Sequence, residues 1–251
     1  MSPNTHYKDR PTQRAVRNDP QFRIDNLACW TRISGVPLHD ASGEGIYVIE
    51  LLDNWKLDFD RKRTGSQWLN YDYEKCDAPD DFRPATAPQL AAIIDTLFQH
   101  RADNTYKGQI EHVRMAFPRD TQLATNTHIH YAPGKADSIM HSYNTHRGYR
   151  IEEHLAGKAA RLDDHAPDIS KKCKVLFGTR AAHRLNEAIN WLTGKPAVLV
   201  TRDEKQKYCA RSLAFGNREE LANADFYAID ADNDTDKELH AVGIRIVKKL
   251  S

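Results

Sequence analysis

The sequence predicts an α+β protein folded around one core, and three observations carry that prediction. Val242, Ile244 and Ile246 near the C-terminus alternate with Gly243, Arg245 and Val247, the period of a strand with one face buried. Leu90, Ile93, Ile94, Leu97 and Phe98 recur instead at helical spacing and define one buried stripe. Stretches of the two kinds are interspersed along 251 residues with no repeat of fixed period. The expected architecture is a few helices packed on short, mostly antiparallel strands. A polar arm over residues 1–25 precedes a single domain over 26–251.

The arm is charged, punctuated by proline and free of any helical or strand period, so it is expected to be flexible. Its Lys8, Arg10, Arg14, Arg17 and Arg23 are partly offset by Asp9, Asp19 and Asp25. A solvated tail is the plain reading, and a nucleic-acid contact is the alternative. Residues 45–52 form the first strand, a continuous apolar run that suggests burial on both faces. An aromatic stretch with Trp55, Phe59, Trp68, Tyr71 and Tyr73 follows without a clean period and reads as loops or short strands.

Thr86 and Gln89 make a capping box ahead of the clearest helix, with Pro88 in its first turn, where a missing N–H costs nothing. A second helix is expected from Tyr106, Ile110, Val113 and Phe117, closed by Pro118. Strands at 127–132 and 138–143 flank Pro133 and Gly134, a hairpin signal. Residues 156–174 read as a charged loop. A third helix starts at Thr179, buries Leu185, Ala188, Ile189 and Leu192, and stops at Gly194. Strands are expected at 197–201, 211–215 and 225–229, then an Asp- and Asn-rich turn over 230–236, then the terminal strand over 241–250.

Composition narrows the function classes. Lys and Arg total 36 against 35 Asp and Glu, a formal net charge of +1, so no global field draws the chain to phosphate backbones or anionic membranes. Mean hydropathy is −0.71, and no apolar run approaches the ~20 residues of a membrane span. The opening residues lack the apolar core of a secretory signal, and a soluble, cytoplasmic protein is expected. Cys29, Cys76, Cys173 and Cys209 are scattered with no CxxC pair, which argues against a structural zinc or redox motif.

Two groups of residues invite chemistry. His128 and His130 sit at i, i+2 and would share a strand face, and His141 from the next strand would complete a metal triad suited to a hydrolase or nuclease. His146 lies near them. Asp230, Asp232, Asn233, Asp234 and Asp236 resemble a calcium loop in composition. The spacing lacks the sixth-position glycine and the twelfth-position glutamate, so a solvated turn is expected. Glu152 and Glu153 beside His154 read as solvent-facing. Phosphate-loop, dinucleotide-binding and serine-elbow motifs are absent from the sequence, and no cofactor is indicated.

Three segments carry a family resemblance: FRPATAPQL at 82–90, CARSLAF at 209–215, and ADND at 231–234 followed by GIRIV at 243–247. Together they resemble the C-type-lectin-like fold of formylglycine-generating-enzyme-type domains and of the variable proteins of diversity-generating retroelements. The oxidase cysteine pair has no counterpart here. The resemblance therefore implies a recognition scaffold rather than an enzyme, presenting a variable surface over 217–236 to a protein or other macromolecular ligand. Phe226, Tyr227, Asp230, Asp232 and Asn233 would be the contacts.

Overall fold

The computed structural model describes residues 21–40, 43–57, 61–69, 81–144, 147–164, 167–202, 208–218 and 226–250. The chain opens with strands β1 (Arg23–Asn26), β2 (Trp30–Asp40) and β3 (Gly43–Lys56), then short helix α1 (Gly65–Leu69) and strand β4 (Arg83–Pro84). Helices α2 (Ala87–His100) and α3 (Lys107–Met115) precede β5 (Leu123–Tyr131), β6 (Asp137–Asn144), β7 (Arg147–Glu153) and β8 (Ala160–Arg161). Helices α4 (Pro167–Phe177) and α5 (Ala182–Thr193) lead to β9 (Ala197–Val200), β10 (Cys209–Gly216), β11 (Tyr227–Asp234) and β12 (His240–Leu250).

The twelve strands among the described residues belong to one sheet, nine of them in the order β1-β2-β3-β12-β5-β10-β11-β9-β8, with β4 paired to β12 and β6 and β7 branching from β5, so the α+β class holds. The sheet forks at β5. His240 and Ala241 of β12 run parallel to Leu123 and Ala124, while further along β5 the same edge pairs with β6. One limb is β1-β2-β3-β12, the other is β5-β10-β11-β9-β8, and the β6–β7 hairpin is a branch on β5. Most pairs are antiparallel; β12–β5 and β11–β9 are parallel. The strands are longer than expected, β3 reaching 14 residues.

Register assigns the two faces. Leu123, Ile129, Phe215, Tyr227, Ile229, Ile49 and Ile244 point to the side that the helices cover, in an apolar cluster that draws on residues from Phe22 to Ile244. The other face carries Ala124, Ala214 and Ala241, against which Trp68 of α1 packs with Phe82 and Leu239. The Trp68 indole donates to the Leu239 carbonyl at 2.7 Å, which satisfies its one polar atom inside that cluster.

Helix α2 is seated on β5 through its first turn. Thr86 accepts the Gln89 amide, the Gln89 side chain accepts the Thr86 amide, and the Ala87 amide donates to Thr127 of β5 at 2.9 Å. Three otherwise orphaned donors are thus satisfied at a buried helix end. None of the described helices is long and apolar enough to cross a membrane.

Several sequence expectations need correction. The end of the predicted arm is strand: Phe22 and Ile24 are buried, and Phe22 stacks on His100 with ring centroids 3.6 Å apart. Residues 1–20 lie outside the described residues, as do Cys76 and His146. The charged loop over 156–174 contains much of α4, whose Ile169, Cys173, Leu176 and Phe177 keep helical spacing between lysines. The Asp- and Asn-rich turn over 230–236 is largely β11, held by β10 on one side and β9 on the other.

Candidate functional site

Pairing across three strands brings the two predicted groups together. Ser212 of β10 stands opposite His128 of β5 on one side and Asn233 of β11 on the other. His128, His130, Asp230 and Asn233 therefore share the face opposite the main helix layer. The Asn233 side-chain amide donates to the Ser212 hydroxyl at 3.1 Å. Asp230 accepts from Arg218 at 3.3 Å, from the Gln122 side chain at 3.4 Å and from the Asp232 amide at 2.9 Å. Burial pushes the Asp230 carboxyl up, against the opposing pull of Arg218.

The five predicted contacts do not form one surface. Tyr227 is a core residue, its ring 5.9 Å from Phe117 on the helix-covered side. Phe226 is half-buried beside Val198, Val200 and Ala228, with the Arg161 guanidinium 5.2 Å over its ring. Asp232 is tied to Arg211 at 3.0 Å, while Asp230 and Asn233 are buried. These side chains hold β11 in the sheet.

The three-histidine site also requires correction, because His141 pairs with Thr127 and so lies on the opposite face from His128 and His130. Its ring bridges Thr127 and the Val175 carbonyl, both at 2.9 Å. A carbonyl only accepts, so the Nε2 carries the proton and the Thr127 hydroxyl donates to Nδ1. Burial lowers the pKa of His141 to about 4, and of His128 likewise to about 4. The His128 Nε2 and the Asn126 Oδ1 beside it are buried without a hydrogen-bond partner. His130 is half-buried, 3.4 Å from the Tyr208 hydroxyl. Among the described residues no group of three His, Cys, Asp or Glu side chains is placed to hold a metal. Glu152 pairs with Arg150, and Glu153 with Lys171 at 2.8 Å, as surface ion pairs.

The feature that the sequence did not reveal is a groove of about 580 Å³ where the β2–β3 hairpin faces β7 across α2, α4 and α5. Its walls are apolar: Leu38 and Ile46 from the hairpin, Pro88, Ala91 and Ala92 from α2, Tyr149 and Ile151 from β7, Phe177 and Leu185 from the last two helices. Small residues on α2 leave the space open. Polar groups converge on it from several elements. His39 is hydrogen-bonded to the Tyr143 hydroxyl and packs edge-on to Tyr149 at 4.5 Å. Asp95 and Arg184 form a two-pronged pair at 2.6 and 2.8 Å. Glu44, Lys174 and Thr179 complete the rim. Nothing in the local sequence signals this groove, since its residues come from six elements, β2, β3, α2, β7, α4 and α5, brought together only by the tertiary fold.

No family model, curated protein or solved structure matches the chain.

Proposed function

We propose that the protein is a recognition module that holds an amphipathic organic ligand in the groove between the β2–β3 hairpin, β7 and the helices. The observation that carries this reading is the groove itself: its volume of about 580 Å³ falls in the range of small-molecule sites, and it combines apolar walls with a few convergent polar groups. The Asp95–Arg184 pair fixes α2 to α5 and keeps both walls in place. His39, Tyr149 and Lys174 offer donors to the polar end of a ligand whose flat apolar part lies on Ala91, Ala92 and Phe177. The reading keeps the recognition role that the lectin-like resemblance implies, but moves the contact surface from β11 to the groove. It assigns no catalytic step.

Ala92→Trp would fill the groove from α2. Anilinonaphthalene sulfonate, an apolar anion that fluoresces on leaving water, is a suitable probe. The wild-type chain is expected to bind it, and Ala92→Trp to weaken binding at least ~10-fold with an unchanged melting temperature, about 1.4 kcal/mol of lost affinity. Met115→Trp, at an exposed position away from the groove, serves as control. Equal probe binding by wild type and Ala92→Trp would place the ligand elsewhere and end the proposal.

A further inference from the structure

Asp95, Arg184, Glu44 and Lys174 all line the groove, and their charges are not equally available to a ligand. Asp95 and Arg184 satisfy each other through two parallel bonds, so that pair offers no net charge. Glu44 and Lys174 are exposed and come from different walls, β3 and α4. Among the described residues neither is ion-paired, to the other or to anything else. Lys249 lies beside Glu44, but it donates to the Glu44 backbone carbonyl, at 2.7 Å. The Lys174 ammonium donates to the Gly178 carbonyl at 3.3 Å, which leaves two of its three protons open. The groove thus presents one open anion and one open cation.

Each open charge has neighbours suited to its counter-ion. Glu44 stands directly across the hairpin from His39, whose ring packs edge-on to Tyr149 at 4.5 Å. Burial, with the Glu44 charge adding to it, pushes the Tyr149 phenol up to about 12, so its ring stays neutral beside the carboxylate. An ammonium group placed there meets both a carboxylate and an aromatic ring, the two groups that attract a cation. On the other wall the Thr179 hydroxyl accepts the Ala181 amide at 3.1 Å, so its own proton remains to be donated. A carboxylate placed there meets an ammonium and a hydroxyl. Most of the remaining lining is apolar, with Leu38, Ile46, Ala91 and Phe177 among it.

We propose that the ligand of the groove is a small apolar zwitterion, an apolar amino acid or a short peptide with free termini. Its ammonium group pairs with Glu44 against Tyr149, and its carboxylate pairs with Lys174 and Thr179. This assignment rests on the groove being the ligand site. A simple acid would leave Glu44 facing it without a partner, and a simple amine would do the same to Lys174, so the walls select a ligand that carries both charges.

Displacement of anilinonaphthalene sulfonate from the full-length chain tests this. The competitors are phenylalanine and the dipeptide Phe-Phe, each in three forms: free, N-acetylated and C-amidated. The acetylated form has no ammonium group and the amidated form no carboxylate. The free form of one competitor is expected to bind best, with each capped form about 5-fold weaker, the upper range for an ion pair that keeps contact with water. In Glu44→Gln the penalty for acetylation should vanish while that for amidation stays, and in Lys174→Met the reverse should hold. Both positions are exposed, so both variants should keep the wild-type melting curve. A merely structural role would weaken all forms alike. The tighter of the two free competitors tells an amino-acid site from a peptide site. Equal displacement by free and capped forms, or none by any form, overturns the assignment, and the groove then still stands if Ala92→Trp blocks the fluorescent probe. If Ala92→Trp leaves the probe bound, the groove fails and this assignment fails with it.

Discussion

Two buried carboxylates on the same face of the sheet, one in each limb, have opposite fates. Glu50 in the β1-β2-β3-β12 limb is gripped from both sides. Arg32 directly across on β2 reaches one oxygen at 2.6 and 3.0 Å, and Arg245 directly across on β12 holds the other. Arg245 itself lies over both the Trp30 and the Phe82 rings, 5.3 and 4.9 Å from their centroids. Burial would push the Glu50 carboxyl up, but the two guanidinium groups more than reverse it and hold it below the usual range. Asp230 in the other limb is just as inaccessible, with one arginine at 3.3 Å, and its carboxyl goes up. Burial prevails at Asp230, where one guanidinium opposes it, and is overcome at Glu50, where two do.

Acid is the strongest way to separate the limbs. The β5 limb and its β6 branch hold the buried neutral histidines His128 and His141, both lowered to about 4. Unfolded histidine titrates near 6.5, so below that pH the unfolded chain binds protons that the native chain refuses. The share of stability set by these two histidines should be flat above their unfolded value and fall as pH drops from 6.5 to 4, by at most about 3 kcal/mol for each histidine. Urea denaturation at a series of pH values measures this, and His128→Gln should remove one step of it. A profile with no slope between pH 6.5 and 4 would mean that both histidines reach water. Glu50 acts in a lower window, since its stabilising share is lost only as pH falls from its unfolded value through its depressed one.

Next in size is Glu50→Gln. The amide keeps the shape but leaves two guanidinium groups facing each other across the strand. Breaking a buried pair costs about 3–5 kcal/mol, and the partial exposure of Arg32 and Arg245 lets them turn to water, so about 2–4 kcal/mol is expected by urea denaturation. A cost near zero would show that the clamp adds nothing beyond what its desolvation takes away.

The contrast also explains what was readable in the sequence. The helix-covered face depends on apolar spacing, so α2 with its capping box, α3 and the terminal strand were all legible from residues such as Leu90, Ile94 and Ile244. The opposite face depends on partners distant in sequence. Glu50 looks like one polar residue in an apolar run until Arg32 and Arg245 are placed beside it. Residues 230–236 have turn composition; 235 and 236 do turn, but 230–234 became strand because Asn233 meets Ser212 and Asp230 meets Gln122 and Arg218. His141 shows the same limit, since a shift of one residue in the β5–β6 pairing would have put it beside His128. The groove depends on six elements brought together by the tertiary fold, which local pattern does not encode.

The smallest effect is expected at Asp230, and it is the most telling one. With its carboxyl raised, the native state holds that proton more tightly than the unfolded chain does. Its contribution is therefore most favourable in acid and is lost as pH rises through the raised value, the reverse of Glu50. Asp230→Asn removes the ionisation cost at pH 7 but also the pull of Arg218, and it turns an amide nitrogen toward the Gln122 donor. These terms oppose each other, and a net change within about 1 kcal/mol at pH 7 is expected. At pH 4 the same substitution should cost more than at pH 7, because the protonated wild-type carboxyl no longer carries the penalty that the amide relieves. If Asp230→Asn instead costs as much at pH 7 as Glu50→Gln, one arginine stabilises a buried carboxylate as well as two do, and the distinction between the limbs fails.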